Sequence, residues 1–148
     1  MVQQMPLDNA SSTEQQGDMQ AIETLAGNAI TADTNPVEAE VDSYFADTPI
    51  LATIAGCESS YTQFNAGGTI YRGKVNHGDI GVMQINEYYH LKEAKALGYD
   101  IFSLKGNMAY AKYLYEQQGV APWSASGACW QNSVALSSAG SDLALVVK

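Results

Sequence analysis

The segment PILATIAGCES, residues 49–59, constrains the fold of this 148-residue chain more than any other stretch. Pro49 is typical of the first turn of a helix, and the apolar segment that follows is long enough to form two further turns. Side chains at spacings of three, four and seven residues share one face of a helix. That face consists of Leu51, Ile54, Ala55 and Glu58, so an apolar stripe ends in a carboxylate.

A carboxyl group at the position of Glu58 is expected to ionise with difficulty. Burial against apolar side chains disfavours the anion, and the negative end of the helix dipole acts in the same direction. Both effects raise the pKa, as a general acid that works near neutral pH requires. The alternative is a glutamate that reaches solvent where the helix frays or pairs with a lysine, since structural ion pairs also perturb carboxylates.

The charge of the chain is unevenly distributed. Nine of the 16 acidic residues lie in residues 1–47, which contain no Lys or Arg, whereas residues 48–148 carry equal numbers of acidic and basic side chains. Proteins that bind nucleic acid usually present a basic face, so we expect no nucleic-acid partner. No apolar stretch approaches the ~18 residues of a membrane span, and no secretory signal is visible at the N-terminus.

Composition divides the chain into three parts. Residues 1–34 are polar and acidic, and we expect them to be a mostly disordered tail. Residues 35–130 are predicted to form one domain, with helix starts at Asn35-Pro36 and Thr48-Pro49 and further helices near 88–97 and 104–118. The glycine-rich stretch from Thr62 to Gly81, which contains the segment TIYRGKVN, lies between the second and third of these helices. It predicts a small hairpin or an irregular excursion. We expect residues 131–148 to be a loose C-terminal tail. The predicted fold class is mainly α (α+β).

Three motifs follow one another along the chain: Glu58-Ser59, GVMQI at residues 81–85 and NMAYAKYL at residues 107–114. In this order they resemble the motifs of the lysozyme superfamily and its soluble lytic transglycosylase (SLT) domain. Glu58-Ser59 is similar to the Glu-Ser motif of that domain, and Gly81-Val82-Met83-Gln84-Ile85 is similar to its Gly-x-Met-Gln motif. The segment NMAYAKYL, residues 107–114, resembles the Tyr-Leu helix, with a different spacing after Asn107. The order of motifs also resembles animal-type lysozymes, and the resemblance spans roughly residues 37–130.

The resemblance implies a lysozyme-like domain in which the excursion forms one wall of a cleft. It also implies cleavage of the β-1,4 bond between N-acetylmuramic acid and N-acetylglucosamine in peptidoglycan, with Glu58 as the proton donor. The intermediate then reacts with water, or closes on the muramoyl 6-hydroxyl to give an anhydro product. We favour the second, lytic route because Gly-Val-Met-Gln is the better-matched feature. Neither route needs a cofactor, and no His or Cys spacing suggests a metal site.

Asp79 leaves the choice between the two routes open. SLT transglycosylases typically carry Ala two residues before the glycine of Gly-x-Met-Gln, whereas animal-type lysozymes carry their second catalytic Asp there. On the functional interpretation Asp79 stabilises or attacks the oxocarbenium-like centre while Glu58 acts as the acid. On the structural interpretation Asp79 caps a turn after Gly78, which is a common role for Asp.

The remaining candidate residues have side chains that suit a sugar chain. Amides both donate and accept hydrogen bonds, as hydroxyl and N-acetyl groups require. Tyrosine and tryptophan can stack on sugar rings, although on a helix they are more often core residues. The predicted substrate-binding residues are Ser59, Met83, Gln84, Asn86, Tyr113 and Trp123.

The two cysteines, Cys57 and Cys129, bracket most of the predicted domain. They are compatible with one disulfide in an exported protein or with two free buried thiols, and we expect the disulfide. We therefore expect a secreted, periplasmic or cell-wall-associated monomer whose partner is the glycan strand of peptidoglycan.

Two other classes of function stay open. One is an inactive lysozyme-like protein that binds glycans, against which the presence of Glu58 argues. The other is a structural subunit of a secretion or phage-tail machine, in which the acidic residues 1–34 would be a docking tail.

Overall fold

Residues 35–143 are described in the computed structural model of the chain, and the predicted tail of residues 1–34 lies outside them. The mainly α (α+β) class with a small β excursion is confirmed. The described elements are α1 (Pro36–Tyr44), α2 (Pro49–Ser59), β1 (Asp79–Ile80), β2 (Ile85–Asn86), α3 (Glu87–Ala96), α4 (Leu104–Gln118), a 3₁₀ helix (Ala121–Ser126) and α5 (Gly127–Leu143).

Side-chain caps and prolines explain where the helices begin. The Asn35 side chain accepts a hydrogen bond from the Val37 N–H at 3.0 Å, one residue before the proline that starts α1. Ser103 caps α4 by accepting from the Gly106 N–H at 3.0 Å. Thr48 makes no such side-chain bond, so the start of α2 depends on Pro49, whose fixed φ suits the first turn.

Helix α2 supplies the centre of the core. Leu51, Ile54 and Ala55 are fully buried on the predicted apolar face, and the helix packs against α1 and α5. A disulfide between Cys57 and Cys129 joins the C-terminal end of α2 to α5, with the two Cα atoms 6.0 Å apart. The bridge spans 72 residues of sequence, and in the chain-entropy model a loop of that length stabilises the fold by ~4 kcal/mol.

The glycine-rich excursion forms its strands later in the sequence than expected. Strands β1 and β2 pair antiparallel, with Asp79 opposite Asn86 and Ile80 opposite Ile85. The segment TIYRGKVN, residues 69–76, does not pair with itself as a hairpin. Its two bridges join Ile70 to Phe64 and Arg72 to Ile80 of β1. The hairpin therefore falls on the segment that resembles Gly-x-Met-Gln.

Two buried amide side chains hold the turn between β1 and β2 against the rest of the domain. Gln63 accepts from the Val82 N–H at 2.8 Å and donates to the Phe102 carbonyl at 3.1 Å. Asn107 of α4 accepts from the Met83 N–H at 2.9 Å and donates to two further carbonyls. These side chains satisfy backbone groups that a two-residue strand pair leaves without ladder partners.

Gly81 lies where the two amides leave no room for a side chain. Its φ is +72°, and a Cβ added there would lie 2.6 Å from both Asn107 Nδ2 and Gln63 Oε1. Both the backbone conformation and the close approach of the amides therefore require glycine.

The structure corrects the predicted C-terminal tail. Residues 131–143 continue α5 as a helix instead of forming a loose tail, and residues 144–148 lie outside the described part of the chain. The small residues of this segment form no amphipathic stripe, which is why the sequence suggested a loop. In the helix their hydroxyls bond locally, for example Ser133 to the Cys129 carbonyl at 3.1 Å.

Within residues 35–143, none of the helices combines the length and the apolar character needed to cross a membrane.

We expect Gly81→Ala to lower the free energy of unfolding by about 2 to 4 kcal/mol, through left-handed backbone strain and overpacking. Gly68 is the matched control because its φ is +77° but nothing lies within 4 Å of an added Cβ. Gly68→Ala should therefore show only the backbone cost, roughly 1 to 2 kcal/mol. Urea unfolding followed by circular dichroism measures both. Equal losses would show that Gln63 and Asn107 move aside freely.

Candidate functional site

Glu58 lies in the last turn of α2, on the predicted apolar face, and is half-buried. The helix ends one residue later. Ser60 and Tyr61 then adopt left-handed conformations with φ of 52° and 58°, which turn the chain away from the helix axis. The Glu58 carboxyl group therefore lies at the C-terminal end of α2, a helix that is largely buried.

Ser126 is the direct partner of Glu58. Its hydroxyl donates to Glu58 Oε1 at 2.6 Å. Ser126 is the last residue of the 3₁₀ helix, three residues before Cys129, and Glu58 follows Cys57 directly. The disulfide therefore joins the two segments that carry the hydrogen-bonded pair.

Burial raises the pKa of the Glu58 carboxyl above its ordinary value of 4.5, the hydrogen bond from Ser126 opposes this rise, and the negative charge of Asp79 adds to it. The expectation that burial raises this pKa is confirmed. The group consequently holds its proton to a higher pH than an exposed glutamate would. It can act as a proton donor over a correspondingly wider range of pH.

Asp79 combines a structural role with an electrostatic one. The side-chain amides of Asn86 and Asn76 both donate to Asp79 Oδ1, at 2.7 Å and 3.3 Å. The Asp79 N–H donates to the Asn76 carbonyl at 3.1 Å, which closes the turn before β1. Its charge also acts on Glu58. The structural interpretation of Asp79 is thus supported by these hydrogen bonds, and the catalytic interpretation stays a prediction that this electrostatic effect favours.

Ser59 connects two chain segments and is not exposed to a ligand. Its side chain is 5% exposed. The hydroxyl donates to the Val82 carbonyl at 2.8 Å and accepts from the Thr62 N–H at 3.0 Å. The predicted substrate-binding role is corrected: Ser59 joins the end of α2 to the turn between β1 and β2.

Met83 and Trp123 are also buried, in contrast to their predicted substrate-binding role. The Met83 side chain is fully buried, and Trp123 is 3% exposed. The Trp123 indole donates to the Met83 carbonyl at 3.0 Å, and the Trp130 indole donates to the Trp123 carbonyl at 3.0 Å. These contacts attach the 3₁₀ helix, and with it Ser126, to the turn between the strands.

The two predicted amides are half-buried and make internal hydrogen bonds. Gln84, with φ of 50°, donates through Nε2 to the Gly81 carbonyl at 2.9 Å. Asn86 donates to Asp79 and caps α3, because its Oδ1 accepts from the Tyr88 N–H at 3.1 Å. Asn86 therefore has a structural role, and Gln84 is the predicted amide with fewer internal bonds.

Tyr113, which was predicted to bind substrate, lies beside the carboxylate of Glu93. Its hydroxyl donates to Glu93 Oε1 at 3.3 Å, and the Tyr110 hydroxyl donates to Glu93 Oε2 at 2.9 Å. The two tyrosine rings stack with centroids 5.6 Å apart. Tyr113 thus belongs to a tyrosine cluster between α3 and α4, and its described contacts do not include Glu58.

Ser126, Gln63 and Asn107 were not predicted as site residues. No local motif surrounds Ser126, but the pairing of the two cysteines could have indicated that it lies near Glu58. A bridge from Cys57 to Cys129 places their sequence neighbours close together, and Glu58 and Ser126 are such neighbours.

No group of three or more His, Cys, Asp or Glu side chains within residues 35–143 could hold a metal ion. A pocket of about 480 Å³ lies beside the N-terminal end of α2 and shares no lining residue with the arrangement around Glu58; its lining is Asp47, Thr48, Pro49, Ile50, Thr53, Tyr115, Val134 and Ser137.

Comparison of the chain with protein-family models, with curated proteins and with solved structures found no significant match.

The raised pKa of Glu58 predicts a pH-dependent difference in stability between the parent protein and Glu58→Gln. As pH rises from 4.5 through the raised folded-state pKa, the unfolded chain loses the Glu58 proton first. The free energy of unfolding of the parent should therefore fall relative to that of Glu58→Gln across this window. The difference should be constant below the window and again above it. Urea unfolding at a series of pH values measures it, and a difference independent of pH would contradict burial of the carboxyl.

Proposed function

We propose that the chain cleaves the glycan strands of peptidoglycan at the β-1,4 bond between N-acetylmuramic acid and N-acetylglucosamine, with Glu58 as general acid. The observation that carries this proposal is a half-buried carboxyl at a helix end, with a raised pKa and a serine donor at 2.6 Å. The resemblance of the Glu-Ser and Gly-Val-Met-Gln segments to the SLT domain supports the choice of substrate.

In the proposed reaction protonated Glu58 gives its proton to the glycosidic oxygen as the bond from that oxygen to the anomeric carbon breaks. Positive charge then develops on the sugar while Glu58 becomes a carboxylate. This carboxylate next removes a proton from the attacking hydroxyl, which returns Glu58 to its starting state. One carboxyl is therefore sufficient as acid and then as base.

The lytic route is favoured by the resemblance to the SLT motifs and by the raised pKa of Glu58, because one such carboxyl can act as acid and then as base. In this route the attacking group is the muramoyl 6-hydroxyl, and the product is an anhydro sugar. The Cys57–Cys129 disulfide supports an extracytoplasmic location, because disulfides persist in oxidising compartments.

A hydrolytic route is the second candidate, and Asp79 is the observation that favours it. Two amide donors hold its Oδ1, and its charge acts on the Glu58 carboxyl. A fixed carboxylate close to the acid could stabilise the positive sugar centre or attack it while water completes the reaction.

Glu58→Gln should reduce the rate of cleavage of purified cell walls by at least about 10²-fold, because it removes the acid and keeps the side-chain shape. Glu116→Gln is the matched control, since Glu116 is an exposed carboxyl on α4. Loss of turbidity and mass analysis of the released sugars measure the effect. A Glu58→Gln protein within tenfold of the parent rate would contradict the assignment, and binding without cleavage by the parent would favour the inactive glycan-binding alternative.

Asp79→Asn should distinguish the two routes. Asparagine keeps an oxygen that can accept from Asn86 and Asn76, so we expect the hairpin to survive the substitution. In the lytic route the rate should fall by less than about tenfold, and the products should carry anhydro ends and be lighter by one water. A loss of orders of magnitude, together with reducing muramoyl ends, would instead establish hydrolysis.

A further inference from the structure

The Ser126 hydroxyl has one proton and two acceptors within reach. Its Oγ lies 2.6 Å from Glu58 Oε1 and 3.1 Å from the Trp123 carbonyl oxygen. A serine hydroxyl donates one hydrogen bond and rotates to suit its surroundings. The acceptor that it chooses therefore depends on the charge of Glu58.

An ionised Glu58 is the better acceptor of the two. Hydrogen bonds from a hydroxyl to a carboxylate are short, about 2.5 to 2.7 Å, and roughly twice as strong as neutral ones. The 2.6 Å separation fits that class. When Glu58 is protonated its oxygens attract the hydroxyl less, and the Trp123 carbonyl is then a comparable acceptor. The hydroxyl has a partner in either state.

The second acceptor is held in place independently of Glu58. The Trp123 indole is bonded to the Met83 carbonyl, and the Trp123 carbonyl also accepts from the Trp130 indole at 3.0 Å. A carbonyl oxygen has two lone pairs, so it can receive both Trp130 and Ser126. The disulfide beside both segments keeps Ser126 near Glu58 throughout.

We propose that Ser126 is a positioning residue for Glu58: its hydroxyl turns from the Trp123 carbonyl to the Glu58 carboxyl as the proton leaves, and so stabilises the carboxylate that forms. This inference rests on the proposed role of Glu58 as general acid. Because Ser126 Oγ already lies 2.6 Å from Glu58 Oε1, only the hydroxyl hydrogen has to rotate when the negative charge develops. This small reorganisation lowers the barrier to proton transfer compared with a donor that must first move into place.

Few charged groups besides the Ser126 hydrogen bond influence the pKa of the Glu58 carboxyl. Among the described residues, Asp79 of β1 is the charged group that raises the pKa of Glu58. Helix α1 carries Glu38 and Asp42, whose charges act on the Tyr61 phenol. The 3₁₀ helix and the part of α5 up to residue 138 contain no Asp, Glu, Lys, Arg or His.

Ser126→Ala should lower kcat on purified peptidoglycan by about 10- to 100-fold and change KM by less than about twofold. The alkaline limb of the kcat profile should move to higher pH, because the carboxylate loses the donor that lowers its pKa. Ser126→Thr keeps a hydroxyl and should restore both properties. Ser124→Ala, an exposed serine in the same 3₁₀ helix, is the matched control and should leave both unchanged.

A carbon-13 NMR titration of the Glu58 carboxyl, without substrate, provides a readout that does not depend on activity. The pKa should rise in Ser126→Ala and return in Ser126→Thr. If Ser126→Ala does not fold, Ser126→Cys, a weaker donor of similar shape, replaces it. An unchanged pKa, or a fall in kcat with an unmoved pH profile, would overturn the role of Ser126. Absence of cleavage by the parent protein would overturn the proposed function. The titration uses no substrate, so it tests the role of Ser126 separately from cleavage.

Discussion

A covalent bond between α2 and α5 holds together two segments that lie 72 residues apart in the sequence. Each half of the pair Glu58–Ser126 lies within three residues of one of its cysteines. A half-buried carboxyl needs a donor that stays at hydrogen-bond distance, since the cost of ionising it rises steeply when the donor moves away. The disulfide keeps Ser126 at this distance from Glu58. The hydrogen bonds of the Trp123 and Trp130 indoles also hold the 3₁₀ helix in place. The chemistry proposed for Glu58 depends on this covalent constraint.

The hairpin is held by a second and different kind of constraint. Its two short strands offer little ladder bonding, so the buried amides of Gln63 and Asn107 hold the turn by binding its backbone. The absence of a side chain at Gly81 is what lets both amides approach. Because Asp79 begins the same hairpin, its distance from Glu58 is set by amide contacts with the loop after α2 and with α4. The two carboxyl groups are thus positioned by separate parts of the fold.

Local features of the sequence predicted local features of the structure. The Asn35 cap, the proline at the start of α2 and the bounds of α4 follow from residues within a few positions of each helix end. The apolar face that ends in Glu58 follows from helical spacing. Ser126 could not be found in this way, because its role arises from the pairing of distant cysteines. Met83 and Trp123 were predicted to bind substrate, yet both side chains are buried, and the Trp123 indole donates to the Met83 carbonyl. The small residues of α5 show no periodic stripe, so its length was missed.

Helix α3 contributes one fully buried side chain, that of Ala94, to the core. The phenol groups of Tyr110 and Tyr113 attach it to α4 through an exposed carboxylate, Glu93. Hydrogen bonds at an exposed group resist local opening less than buried apolar contacts do. Amide hydrogens of α3 should therefore exchange with solvent through a partial opening that leaves α2 and α5 intact. Since Asn86 both caps α3 and donates to Asp79, such an opening would loosen Asp79 while the disulfide keeps Glu58 and Ser126 together.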